Sequence, residues 1–151
     1  MSEAMDDKGR ETGKCQFGTR PFSRLLAPLH LGKVTLANRM VMGSMHTRLE
    51  HASKPVERQA AFYEARAAGS VGLIITGGYS PDEAGRLEDG GPILDSDGQL
   101  DAHKVIVDRV QKHGARIVLQ ILHAGRYAKH DRIVGVSDRR SHINPRSATT
   151  V

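Results

Sequence analysis

Three apolar runs in this chain stop in the same way, and that repetition limits the fold more than any other feature. Asn38-Arg-Met-Val-Met-Gly-Ser-Met-His-Thr47 opens from a short apolar strand into a glycine and a cluster of small polar groups. Gly72-Leu-Ile-Ile-Thr-Gly-Gly78 and Arg116-Ile-Val-Leu-Gln-Ile-Leu-His-Ala-Gly-Arg126 end likewise. Helical patterns separate them. Alternation of this kind predicts part of a parallel α/β sheet, with its ligand at the rim where the strands terminate.

Taken in order, residues 1–20 lack apolar periodicity and read as a disordered tail. Residues 21–128 carry the folded pattern, and 129–151 read as an irregular basic tail. Gly32-Lys33, between Leu31 and Val34, is placed as the turn of a small hairpin that caps the bottom of the sheet. The first strand is expected over 39–43. A helix follows over 56–68, with Ser53 as N-cap, Pro55 in its first turn, Gly69 as its stop and Val56, Ala60, Tyr63 and Ala67 as its buried stripe. The second strand, 72–76, is apolar on both faces and so predicts cover on both sides. The long acidic and glycine-rich stretch 79–98 reads as a functional loop. A second helix over 100–113 presents Ala102, Ile106 and Val110 and ends at Gly114; Lys112 and His113 suit its negative end. The third strand runs over 116–122.

The polar residues at the strand ends each admit two readings. Gly77-Gly78 is either a turn or a place where backbone approaches a flat ring, which the absence of Cβ permits. Gln120 interrupts a run of Ile, Val and Leu, and a buried primary amide costs a few kcal/mol unless its donors and acceptors are matched. It therefore pairs with backbone or reads the amide-like edge of a ligand. His123, His46 and Thr47 are each either satisfied structural residues or members of a site.

Composition removes several classes. Apolar residues make up 38% and charged residues 26% of 151, a globular balance of one-domain length. No apolar run is long enough to span a membrane, and the N-terminus has no signal-peptide core, which predicts a cytoplasmic protein. The single cysteine, Cys15, excludes a disulfide framework. None of the eight histidines has an i,i+4 partner beside a carboxylate, so no metal site is expected. Of the net charge of +5, about +3 is concentrated after Tyr127, with five basic and two acidic side chains from Lys129 onward and no aromatic to stack on bases. Nucleic-acid binding is not expected, and a solvated tail explains the charge. The third glycine of a Rossmann turn is missing, as is the Gly-x-Ser-x-Gly of a hydrolase.

Together, Leu36-Ala-Asn-Arg-Met-Val-Met-Gly-Ser-Met-His-Thr47, Ile75-Thr-Gly-Gly78 and Leu119-Gln-Ile-Leu-His-Ala-Gly-Arg-Tyr127 resemble the N-terminal part of Old Yellow Enzyme-type flavin oxidoreductases. Within that family, Met42-Gly-Ser-Met-His-Thr47 is most similar to the bacterial 2,4-dienoyl-CoA reductases. The resemblance spans residues 22–127 in order and spacing, while Asp138-Arg-Arg-Ser-His142 departs from the family pattern. It implies the N-terminal portion, about three β/α units, of a TIM (β/α)8 barrel with FMN at the C-terminal rim of its strands. By position, Ser44, Met45 and His46 border the flavin, Gly78 lies near its reactive face and Gln120 bonds its pyrimidine edge. NAD(P)H would reduce the flavin, which would pass a hydride to an activated alkene or enoyl-CoA. The dienoyl-CoA branch also carries FAD and an iron–sulfur cluster, and this chain holds no ligands for the cluster.

Three strands are legible where a closed barrel needs eight. The chain as written is thus expected to be truncated and inactive alone, or to work with a complementary chain; the family's catalytic acids fall outside it. The alternative is a small α/β binding or interaction module without catalytic activity. An opened barrel would expose strand edges and apolar interior faces around Met42, Ile75 and Ile121, favouring association.

Overall fold

The computed structural model describes residues 21–143 and 149–150. The expected disordered tail, 1–20, lies outside the described residues. The first strand pair is the expected hairpin: β1 (Leu29–Leu31) pairs antiparallel with β2 (Val34–Leu36), and Gly32 turns the chain at φ +58°. Leu36 is buried, and Asn38 just beyond it ties the next strand down. Its Nδ2 donates to the Ser70 carbonyl at 2.7 Å, and its Oδ1 accepts from the Met40 N–H at 3.0 Å.

The central sheet is parallel, in the order β3 (Val41–Met42), β4 (Leu73–Tyr79), β5 (Arg116–Ile121). Helix α1 (Pro55–Ala68) crosses from β3 to β4, and α2 (Leu100–Gln111) crosses from β4 to β5. Both helices lie on one face of the sheet. Ala60, Tyr63 and Ala67 from α1 meet Ile106 and Val110 from α2 over Ile74 and Ala115, the core of the unit. This is a three-strand portion of a β/α barrel, as the alternation predicts.

Several local expectations change. Ser53 does not cap α1. The N-cap is Lys54, in a left-handed conformation (φ 56°, ψ 61°) and without a side-chain bond. Pro55 at the first helical position has no N–H, so one donor that a cap would serve is absent. Val56 is only half-buried, and Gln59 takes its place in the buried stripe because its Oε1 accepts the Tyr79 hydroxyl at 2.8 Å. Helix α2 ends two residues early at Gln111, and the chain turns at Gly114 (φ +77°). Strand β4 is not covered on both sides. Ile74 on the helix face is fully buried, whereas Leu73 and Ile75 on the inner face are half-exposed, because three strands cannot close around their own interior. Met42 belongs with Ile74, packed against the helices; Val41 is the inward residue of β3 and is 50% exposed.

The segment from Lys129 is anchored at its start rather than solvated. His130 and Ile133 are buried, the His130 Nε2 lies 2.9 Å from the Arg86 carbonyl, and β6 (Val134–Gly135) pairs in parallel with β7 (Thr149–Thr150).

Candidate active-site rim

The Gly-Gly pair is not a turn. It lies within β4, at an irregularity in the pairing with β5. Ile75 is opposite Val118, yet Gly78 is opposite Gln120, so two residues of β4 face one of β5. The ladder records the same insertion: Arg116 N–H donates to the Gly72 carbonyl, but Leu122 N–H donates to that of Tyr79, one residue beyond the regular position. A bulge reverses the side-chain parity of the strand after it. Ile74 and Thr76 face the helices before it; Gly77 and Tyr79 do so after it. Gly78 is thereby turned to the inner face beside Gln120.

Two hydroxyls bond the backbone groups at this insertion. Thr76, 5% exposed, accepts the Gln120 N–H on Oγ1 at 3.1 Å and donates to the Gly77 carbonyl at 2.9 Å. On the helix side the Tyr63 hydroxyl accepts the Gly77 N–H at 3.2 Å. Burial pushes the Tyr63 phenol upward; the Gly77 bond opposes this and the Glu50 charge adds to it. Tyr79 is pushed up to about 12, first by burial, then by Tyr63 and Glu50, against the Gln59 hydrogen bond. Its ring meets the His103 ring edge-to-face at 4.7 Å, and burial lowers the His103 pKa.

Three of the five expected site residues come together on this rim. Ser44, just past β3, donates from Oγ to Gln120 Oε1 at 2.5 Å, and Gln120 sits in register with Gly78. The Gln120 side chain is not paired to backbone: its Oε1 accepts from Ser44, while its own backbone N–H donates to Thr76 Oγ1. Among the described residues its Nε2 amide has no hydrogen-bond partner, so its donors remain available. Each glycine also has a packing reason. A Cβ on Gly77 would meet the Met45 carbonyl at 2.8 Å, and one on Gly78 would meet Leu122 Cβ and Cδ2 at 2.7 Å.

Met45 and His46 stand apart from that trio. Met45 is 52% exposed, with its carbonyl against Gly77. His46 is exposed and borders a cavity of about 80 Å³ with Arg48, Glu50, Leu87, Glu88 and Lys129. Thr47 is half-buried, its Oγ1 accepting the Leu49 N–H at 3.4 Å. His123 is not a core histidine. Its Nδ1 accepts the Gly125 N–H at 3.1 Å, and its Nε2 lies 3.8 Å from Asp82 Oδ1 at a partly exposed position. The buried histidine is His130, for which no local pattern gives a signal.

The long loop after β4 is pinned to the other strand exits. Ser80 bridges to Ile93; Gly85 and Leu87 carbonyls accept the Ala124 and Lys129 N–H groups at 2.8 and 2.7 Å. Glu83 pairs with Arg86 at 3.0 Å and Arg132 at 3.2 Å, and Glu88 approaches Arg48 at 3.6 Å. Loops from all three parallel strands thus meet at one end of the sheet.

A parallel β/α sheet with a bulged central strand and glycines at its C-terminal rim is a portion of a β/α barrel, the class of fold that gathers its chemistry at that end. The chain belongs to the NADH:flavin oxidoreductase / NADH oxidase family, which matches residues 24–146. An NADPH dehydrogenase from Listeria welshimeri is 36% identical over 108 residues, 70% of this chain and 32% of that protein. A metal reductase from Desulforamulus reducens is 36% identical over 113 residues, 75% of this chain and 17% of its own length. Among solved structures, morphinone reductase in complex with tetrahydroNAD superposes with a TM-score of 0.71 at 30% identity, over 80% of this chain and 34% of that one. The old yellow enzyme from Trypanosoma cruzi gives 0.67 at 32% identity, over 79% and 36%. The fold and the Old Yellow Enzyme-type resemblance therefore stand, and the chain spans about a third or less of the length of these relatives.

Proposed function

We propose that this rim holds FMN, and that the chain contributes it to an NAD(P)H-dependent reductase of activated alkenes. The observation that carries the reading is the meeting of Ser44, Gly78 and Gln120, from three separate strand exits, on one inner face. The fit is chemical. A flavin's pyrimidine edge offers acceptors, and the unpaired Gln120 amide offers donors; its flat ring suits a strand whose bulge presents a glycine rather than a side chain. In this arrangement Ser44 orients Gln120, Gln120 binds the ring edge, Gly78 lines its face, and Met45 and His46 border it. FMN, once bound, supplies the hydride chemistry between nicotinamide and alkene.

The 2,4-dienoyl-CoA reductase branch is the narrower proposal, carried by Met42-Gly-Ser-Met-His-Thr47. On that reading the FAD and the iron–sulfur cluster belong to parts of longer relatives outside this alignment. Turnover would need the remaining β/α units and the phosphate-binding loops they carry, in a longer chain or from a complementary one.

Titrating the purified 151-residue chain with FMN and following flavin fluorescence and visible absorbance tests the reading. Saturable quenching with a shifted absorbance band is expected. A chain that takes up no flavin would instead be the small α/β binding module without redox chemistry.

A further inference from the structure

We propose that Thr76 is a positioning residue for the flavin-edge amide: by accepting the Gln120 N–H across the bulge, it sets Gln120 beside Gly78. The inference deepens the flavin reading and rests on it for its binding arm only.

The argument is geometric. The bulge between Ile75 and Gly78 is what brings Gly78 opposite Gln120. Without it, strand parity would turn Gly77 to the inner face and leave Gly78 under the helices. A bulge keeps its place through the bonds that cross it, and a buried N–H left unpaired is costly. Thr76 Oγ1 spans this one at two points, accepting from Gln120 and donating to Gly77. Its position is 5% exposed, so water is a poor substitute. The Tyr63 hydroxyl secures the opposite side through the Gly77 N–H. Ser44 then fixes the end of the Gln120 side chain, whose backbone Thr76 has already placed.

The test compares Thr76→Val, which keeps the shape and loses the hydroxyl, with Thr76→Ser, which keeps the hydroxyl. Hydrogen-exchange mass spectrometry resolved to single residues reads the Gln120 amide in the FMN-free chain, and fluorescence titration reads FMN affinity. In Thr76→Val, Gln120 exchange rising about tenfold while α1 amides hold, with FMN binding weakened about tenfold, supports the proposal, provided Thr76→Ser keeps both near wild type. Unchanged Gln120 exchange in Thr76→Val overturns it, as does Thr76→Ser behaving like Thr76→Val. If the wild-type chain takes no FMN, the flavin reading fails while the exchange arm still decides the role of Thr76. Should Thr76→Val not fold, Tyr63→Phe carries the test from the other side of the bulge. Faster Gly77 and Gln120 exchange supports the arrangement, and unchanged exchange at both overturns it.

Discussion

At the scale of single residues, the rim depends on contacts that tolerate little added volume. Gly78 illustrates this, because a methyl group there would press on Leu122 at 2.7 Å. Gly78→Ala should destabilise the fold by about 1–3 kcal/mol, the usual range for overpacking. Urea unfolding would measure it, and Leu122→Ala in the same chain should recover part of the loss. Removing an amide is a different perturbation. Gln120→Ala deletes the partner of Ser44 and the unpaired Nε2 donors, so FMN affinity should fall by about 3- to 10-fold, as expected for one neutral hydrogen bond of about 0.5–1.5 kcal/mol. An affinity equal to wild type in the flavin titration would remove Gln120 from the site. Both positions stand out in the sequence, as a glycine pair in an apolar strand and an amide among aliphatics. What stays hidden is that the glycines form a bulge inside the strand. Thr76 draws no notice either, because a threonine is ordinary in β structure.

At the scale of elements, α1 and α2 are joined by an apolar seam and by a polar network above it. Desolvation pushes the Glu64 carboxyl up, but hydrogen bonds and charge from Arg109 and His113 outweigh it and hold the group below its ordinary 4.5. The Arg109 contact is 2.6 Å and the His113 contact 3.6 Å. With a depressed folded pKa, this contribution is present above pH 4.5 and lost as pH falls through the folded value. Tyr79 has the opposite sign. Its folded pKa is raised from 10.0 to about 12, so its contribution is complete below pH 10 and is lost as pH rises towards 12. Tyr79→Phe should flatten the alkaline limb of a stability–pH profile between those values, and an unaltered limb would refute the assignment. The helices are legible in the sequence from Ala60, Tyr63 and Ala67, and from Ile106 and Val110, since period and stop glycines act locally. Gln59 is not, because its burial depends on a hydroxyl twenty residues away.

At the scale of the whole molecule, the three-stranded sheet leaves one inner face and at least one long edge open among the described residues. Val41 and Val118 on the inner face are 50% and 45% exposed; Ile121, in register with Tyr79 and so on the helix side of the edge strand rather than inside, is 58% exposed. Strand edges with apolar neighbours pair readily with other chains, so the isolated chain should associate at micromolar concentration. Light scattering would detect this, and Ile121→Lys should lower the apparent mass. A wild-type chain that stays monomeric would show that the edge is better protected than its exposure indicates. No helix among the described residues is long and apolar enough to cross a membrane.

The sequence by itself determined the order of strands and helices and the hairpin at Gly32, while the resemblance to a family, not local pattern, assigned Ser44, Gly78 and Gln120 to the rim. The order and the hairpin are consequences of local periodicity and backbone freedom. Only the tertiary structure decided that one extra residue in β4 flips its parity, that the Thr76 and Tyr63 hydroxyls bond the backbone at that insertion, and that His130 rather than His123 is buried. Each of these is a hydrogen-bonding or packing match between segments far apart along the chain, and no short window of sequence contains both halves of it.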